Sequence, residues 1–259
     1  MLPLRDRLPS RTVPWVNYAL LAANVLAFVW MRMVIAGGYP SEQLVFDWGL
    51  VPLRLVRDPV GEAVTVLSSM FMHDPTSWLH IGGNMLFLWI FGDNVEDALG
   101  HARYLAFYLL CGVGAAAAQV LIDPSSRIPM VGASGAISGV LAAYATLYPR
   151  SPVLLLNPFL PLWFFVGVFF ELPAWLVILE YFVVNLFNGI GSLGSQGGGT
   201  AFFAHLGGFV LGLFAVRVFV AATRERRKND ELSWAGWRPP QRFPPRRPGQ
   251  PRTRDPWAW

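Results

Sequence analysis

The stretch VGASGAISGV, residues 131–140, sets a serine among glycines and alanines inside an otherwise apolar run. The whole chain has 259 residues, 54% of them hydrophobic and 14% charged, which is too apolar for one soluble domain of that length. A bilayer core of about 30 Å takes about 20 predominantly apolar residues per spanning helix. Windows of this kind cover 15–35, 79–91, 104–122, 130–148, 172–187 and 200–220. They predict an all-α integral membrane protein with six transmembrane helices. A seventh apolar stretch, 153–170, carries Pro158 and Pro161 near its start and reads as a re-entrant or interfacial segment. The first window lacks the small-residue cleavage site of a signal peptide, so it is expected to be a retained helix. The single cysteine, Cys111, excludes an intramolecular disulfide and a cysteine-based metal cluster.

Basic residues next to spans stay on the cytoplasmic side. Arg5, Arg7 and Arg11 precede the first window, and ten lysines and arginines follow the last, from Arg224 to Arg254. Both termini are therefore expected in the cytoplasm, as an even number of spans requires. The domain reading is a basic arm over 1–14, a transmembrane domain over 15–222, and a tail over 223–259. The tail, rich in proline and arginine, has too little apolar surface to offset its chain entropy and is expected to be disordered beside anionic lipid.

Depth then groups the polar residues, at a rise of about 1.5 Å per helical residue. Ser134 lies 14 positions before Tyr148 at the inner border, about 21 Å above it and so about 9 Å below the outer boundary. His205 precedes Arg217 by 12 positions, about 18 Å. His80 and Asn84 precede Asp93 by 13 and 9 positions, about 20 and 14 Å, and their i, i+4 spacing puts them on one helix face. Four polar side chains from three helices thus meet in one layer of the outer half of the membrane, where such groups face the bundle interior or water. Each has a plainer reading. Gly135 and Gly139, like Gly208 and Gly212, suit close helix packing, and an intramembrane serine, histidine or asparagine can serve as hydrogen-bonding glue. Together, however, the four supply what acyl transfer needs: a hydroxyl, a base to take its proton, and donors for the oxyanion, including N–H groups at the start of a helix.

With GASGAISG around Ser134, AHLGGFVLG around His205, HIGGN from His80 to Asn84, and FGDNVEDALG closing the second window, the sequence resembles the rhomboid family of intramembrane serine proteases. The resemblance covers about 15–220. It implies a six-helix bundle with a large first outer loop and an endopeptidase that cuts a peptide bond near the outer end of substrate transmembrane helices with a serine–histidine dyad. By motif, Ser134 is the nucleophile and His205 the general base. His80, Asn84 and the backbone N–H of Ser134 form the oxyanion hole, with Gly132 and Gly135 shaping the surroundings of the serine. No cofactor or metal is implied, and the partners are single-pass membrane proteins and the lipid bilayer, not nucleic acid. The expected location is a prokaryotic plasma membrane. The alternative is a catalytically inactive rhomboid-like protein that binds membrane helices. Two features depart from the family pattern. The Trp-Arg pair of the first outer loop is replaced by Val64 and Thr65 beside Glu62, and the tyrosine one turn after the serine is replaced by Ser138, which leaves the partner of the His205 ring unassigned.

Overall fold

The chain begins as a strand. A computed structural model describes residues 2–157, 167–192 and 202–220. In chain order the elements are β1 (Leu2–Asp6), α1 (Trp15–Ala36), α2 (Ser41–Trp48), α3 (Pro52–Arg57), α4 (Ala63–Ser68), α5 (Trp78–Leu99), α6 (His101–Ile122), α7 (Ser134–Leu147), β2 (Pro152–Leu156), β3 (Phe169–Pro173), α8 (Ala174–Ser192) and α9 (Phe202–Val220). The expected tail over 223–259, the middle of the expected re-entrant segment with Pro158 and Pro161, and the 193–199 part of the last expected outer loop lie outside the described residues.

Three helices, α1, α6 and α9, are long and apolar enough to cross a membrane, and α7 and the first part of α8 are shorter apolar helices. Most expected boundaries hold to a few residues, with two instructive differences. The second window ends at Phe91, whereas α5 runs on to Leu99. Its acidic last turns close the lipid-like window without breaking the helix, because the N-terminal arm takes up their charge. Glu96 is fully buried and accepts the N–H groups of Val16 and Asn17 at 3.0 and 2.6 Å, capping a helix whose own N-cap, Pro14, offers no side-chain acceptor. Asp97 accepts from the backbone N–H and hydroxyl of Thr12. The fourth helix begins at Ser134 and not at Met130, since Met130 is bridged to Leu50 and Gly132 has φ +127°.

The all-α expectation and the re-entrant reading of 153–170 are corrected by a three-stranded antiparallel sheet in the order β1-β2-β3. The apolar run Pro152–Leu156 is too short for a helix that could satisfy its own backbone, and pairing on both sides does so instead. Leu2 faces Leu156 and Asp6 faces Val153, with a shift in register between Pro3 and Arg5. Pro3, which has no N–H, sits on an edge strand as a ladder requires. Val153 and Leu155 of the central strand are fully buried in the main core cluster. Glu171 lies in β3 and pairs with Arg7 of the arm, and α8 starts directly after Pro173.

The bundle is tightest where α9 crosses α7. A Cβ built on Gly208 would lie 2.0 Å from the carbonyl oxygen of Gly135, and one on Gly212 would lie 2.6 Å from Cα of Gly139. Only hydrogen side chains permit that approach, the small-residue packing by which helices associate where lipid removes the hydrophobic drive. It sets the N-terminal turn of α7 beside the start of α9.

The arm is fastened to the far end of α7. The Tyr144 hydroxyl and the Asn94 amide both donate to Asp6 Oδ2, at 2.5 and 3.1 Å. Burial pushes the Asp6 carboxyl up to about 7; the Tyr144 bond opposes this and the neighbouring Asp93 adds to it. Because the folded value stands above the ordinary one near 3.8, the protonated form favours the folded state. Its contribution is full below about pH 4 and is lost as pH rises through about 7. Thermal unfolding in detergent should therefore show a lower Tm at pH 8 than at pH 5, and Asp6→Asn, which cannot ionise, should shrink that difference. An equal difference in both proteins would count against the assignment.

Candidate active site

The segments before α5 and α7, the starts of α5, α7 and α9, and residues of α6 and α8 line one cavity of about 1290 Å³, which includes Ser134, His205, His80, Asn84, Gly132 and Tyr181. Gly132, in the segment that precedes α7, is tied to the segment that precedes α5. Its N–H donates to the carbonyl of Ser69 at 2.9 Å, and Leu50 and Met130 exchange backbone bonds at 3.0 and 2.8 Å. Farther out, Arg54 Nε donates to Glu62 at 2.8 Å and Arg54 Nη1 donates to the Phe46 carbonyl. This cross-brace of α2, α3 and the start of α4 stands where the family's Trp-Arg pair is missing. A left-handed φ at Gly132 then turns the chain into α7, so Ser134 is its first residue. N–H groups in the first turn of a helix have no intrahelical acceptor, which leaves them to face whatever occupies the cavity.

His80 is placed by the start of α5. The Ser77 hydroxyl oxygen accepts the His80 N–H as the N-cap, and Asp74, held in a turn by its bonds to Thr76, donates its backbone N–H to His80 Nδ1 at 3.2 Å. Since Nδ1 accepts, a neutral His80 carries its proton on Nε2. That atom would lie 3.0 Å from a Cβ on Gly132, and Ser134 Oγ would lie 3.4 Å from the same point. Asn84, one turn on, is buried, and its Nδ2 has no hydrogen-bond partner among the described residues. An orphan buried donor is costly unless something is meant to accept from it.

Across the cavity, Ser134 Oγ and His205 Nε2 are 2.7 Å apart. A hydroxyl hydrogen-bonded to an imidazole nitrogen can give up its proton there as its oxygen attacks. The other ring nitrogen, Nδ1, lies 2.5 Å from Asn185 Oδ1 on α8, and the Tyr181 ring stands 6.2 Å from the His205 ring, tilted by 36°. The tyrosine missing one turn after Ser134 is thus supplied by another helix. Its hydroxyl meets Ser138 Oγ at 2.8 Å, and Ser138 Oγ in turn donates to the Ser134 carbonyl at 2.7 Å.

All the expected residues fall at this site. His80, Asn84, Gly132, Ser134 and His205 line the cavity, while Gly135 packs against Ala115. The sequence reading missed Asn185 and Tyr181, whose i, i+4 spacing in YFVVN was a usable signal, and His73. His73 is fully buried, 5.2 Å from the His80 ring in an edge-on contact. Burial and the nearby His80 lower its pKa to about 4, so it stays neutral. Among the described residues, no three histidine, cysteine, aspartate or glutamate side chains gather where a metal ion could sit.

The family model of the Rhomboid domain matches residues 60–222. The chain belongs to the rhomboid family. It is 27% identical over 228 residues to Rhomboid protein 1, mitochondrial, of Saccharomyces cerevisiae, a match covering 85% of this chain and 57% of that protein. Rhomboid-like protein 11, chloroplastic, of Arabidopsis thaliana is 38% identical over 113 residues, covering 44% and 39%. The human Presenilin-associated rhomboid-like protein, mitochondrial, is 31% identical over 151 residues, covering 56% and 36%. The matches therefore span from about a third to just over half of these rhomboid relatives' own lengths.

Gly132 offers a test of this geometry. An alanine there would meet a backbone angle that side chains rarely adopt, at a cost of about 1–3 kcal/mol, and would press on His80. Gly132→Ala should lower the Tm in detergent and slow labelling of Ser134 by a fluorophosphonate. Wild-type values for both would mean that the turn is not constrained as described.

Proposed function

We propose that this membrane protein is a rhomboid serine endopeptidase, with Ser134 as nucleophile and His205 as general base. The observation that carries the reading is the 2.7 Å contact between Ser134 Oγ and His205 Nε2 inside a cavity that also holds His80 and Asn84. Membership of the family supports the reaction class. As Oγ bonds to the scissile carbonyl carbon, its proton passes to His205 Nε2. The oxyanion accepts hydrogen bonds from the Ser134 N–H, from Asn84 Nδ2 and from His80 Nε2–H, donors already in place. Collapse breaks the C–N bond, the amine leaves with the proton from His205, and water activated by the same base hydrolyses the ester.

Six spans are proposed, from α1, α5, α6, α7, α8 and α9, with the segment between α1 and α5 as the large outer loop. The substrate is then a single-pass membrane protein, cut near the end of its helix that lies on the Ser134 side. The compartments in the relatives' names are mitochondrial and chloroplastic. These do not favour the prokaryotic plasma membrane expected from the sequence, so the proposal is a membrane-resident enzyme whose basic ends share one side.

Cleavage of a panel of single-span proteins in liposomes tests the reading. Ser134→Ala and His205→Ala should each abolish cleavage, and the double variant should be no slower than either, because nucleophile and base act as one unit. Asn84→Ala should reduce kcat by about 10²–10³-fold, as loss of one oxyanion donor does. Cleavage by Ser134→Ala at the wild-type rate would sink the proposal, and binding of the panel without cleavage by the unaltered protein would leave the inactive helix-binding alternative.

A further inference from the structure

We propose that Asn185 is a positioning residue for His205, holding the imidazole in the one tautomer and orientation that lets Ser134 react; the inference rests on the reading of Ser134 and His205 as nucleophile and base. A neutral imidazole carries one proton. With that proton on Nδ1, Nε2 presents a lone pair to the Ser134 hydroxyl. With it on Nε2, the ring would donate to Ser134 Oγ and could not act as a base.

The side-chain amide of Asn185 decides between the two. Its Nδ2 donates to the Tyr181 carbonyl one turn earlier, at 2.8 Å, and its Oδ1 faces His205 Nδ1 at 2.5 Å. Exchanging the amide oxygen and nitrogen would set two acceptors, Oδ1 and the Tyr181 carbonyl, against each other. The amide is therefore fixed, Oδ1 can only accept, and His205 Nδ1 must hold the proton. Both side chains are only 8% exposed, so water competes little for either bond.

The same helix also holds the nucleophile's turn. The Ser138 hydroxyl has one proton, and the Ser134 carbonyl, which can only accept, takes it. Tyr181 must then be the donor to Ser138 Oγ. Tyr181 and Asn185, at i and i+4, thus join α8 to the Ser134 turn of α7 and to His205 of α9, and the Tyr181 ring backs the imidazole. An uncharged amide does this orienting work, as the asparagine of some cysteine hydrolases does, where many serine hydrolases use a carboxylate.

The test uses the full chain in detergent with a transmembrane substrate and with ¹⁵N-labelled histidine. Asn185→Leu, close in volume but unable to accept, should lower kcat by about 10²-fold or more, within the 10²–10⁴-fold that a positioned base contributes, with KM and Tm near wild type. Asn185→Asp, which still accepts from Nδ1–H, should recover most of that loss. In the unaltered protein, the His205 ring proton should be found on Nδ1 by its nitrogen-coupled signal, identified by its absence from His205→Ala. That measurement holds even where Asn185→Leu fails to fold. A folded Asn185→Leu with wild-type kcat, an Asn185→Asp as slow as Asn185→Leu, or a ring proton on Nε2 would each overturn the inference. If Ser134→Ala and His205→Ala are inactive while Asn185→Leu is not, the catalytic reading stands and only the role of Asn185 falls.

Discussion

Everything at the site depends on how closely α7 and α9 approach. Gly208 lies against the carbonyl of Gly135, where a methyl group would be 2.0 Å from the oxygen. Ser134 is the residue beside one of these glycines, and His205 is one turn before the other. Lipid offers no hydrophobic gain for bringing helices together, so the contact is held by dispersion and close backbone fit over small residues. The third wall of the site has no such contact. α8 reaches the other two helices through side chains, Tyr181 to Ser138 and Asn185 to His205. The machinery thus combines one stiff backbone crossing with one helix held by directional bonds.

The two histidines in the cavity show how neighbours assign opposite tasks to one side-chain type. The Asp74 backbone N–H occupies Nδ1 of His80 and leaves Nε2–H as a donor. At His205 an acceptor occupies Nδ1, leaving Nε2 to meet the Ser134 hydroxyl. Neither arrangement requires a charge on the resting ring, which suits a site where isolated charges are costly. Charge is kept to the other end of α5, where Glu96 takes two backbone donors and the His101 ring.

Ser134, His205, His80 and Asn84 were legible in the sequence because polar groups at membrane depth stand out against their surroundings, and rise per residue placed them in one layer. The i, i+4 spacing of Tyr181 and Asn185 puts them on one face of an apolar helix but does not say which neighbour that face meets. Helix rotation, set by packing, decides that. Glu171 stands in β3 and pairs with Arg7 of the arm, a partner far away in sequence. The reach of α5 was hidden for a related reason. Hydropathy reports what surrounds a residue, and Asp93, Glu96 and Asp97 continue the helix in surroundings that the arm supplies. The sheet escaped because a five-residue apolar run fits a strand or part of a span equally well, and its partner lies at the opposite end of the domain.

That partner has a consequence for the order of assembly. Leu2 pairs with Leu156, so β1 finds its neighbour only after most of the described chain has been made. Loops that long close slowly and late. α1 and the hairpin of α5 and α6 can associate from local contacts. Asp6 cannot meet Tyr144 until α7 has emerged, nor Arg7 meet Glu171 until β3 has. The arm is therefore sewn into the fold late in synthesis, and a chain stalled before β2 would hold Ser134 without the strand pair that fastens the arm.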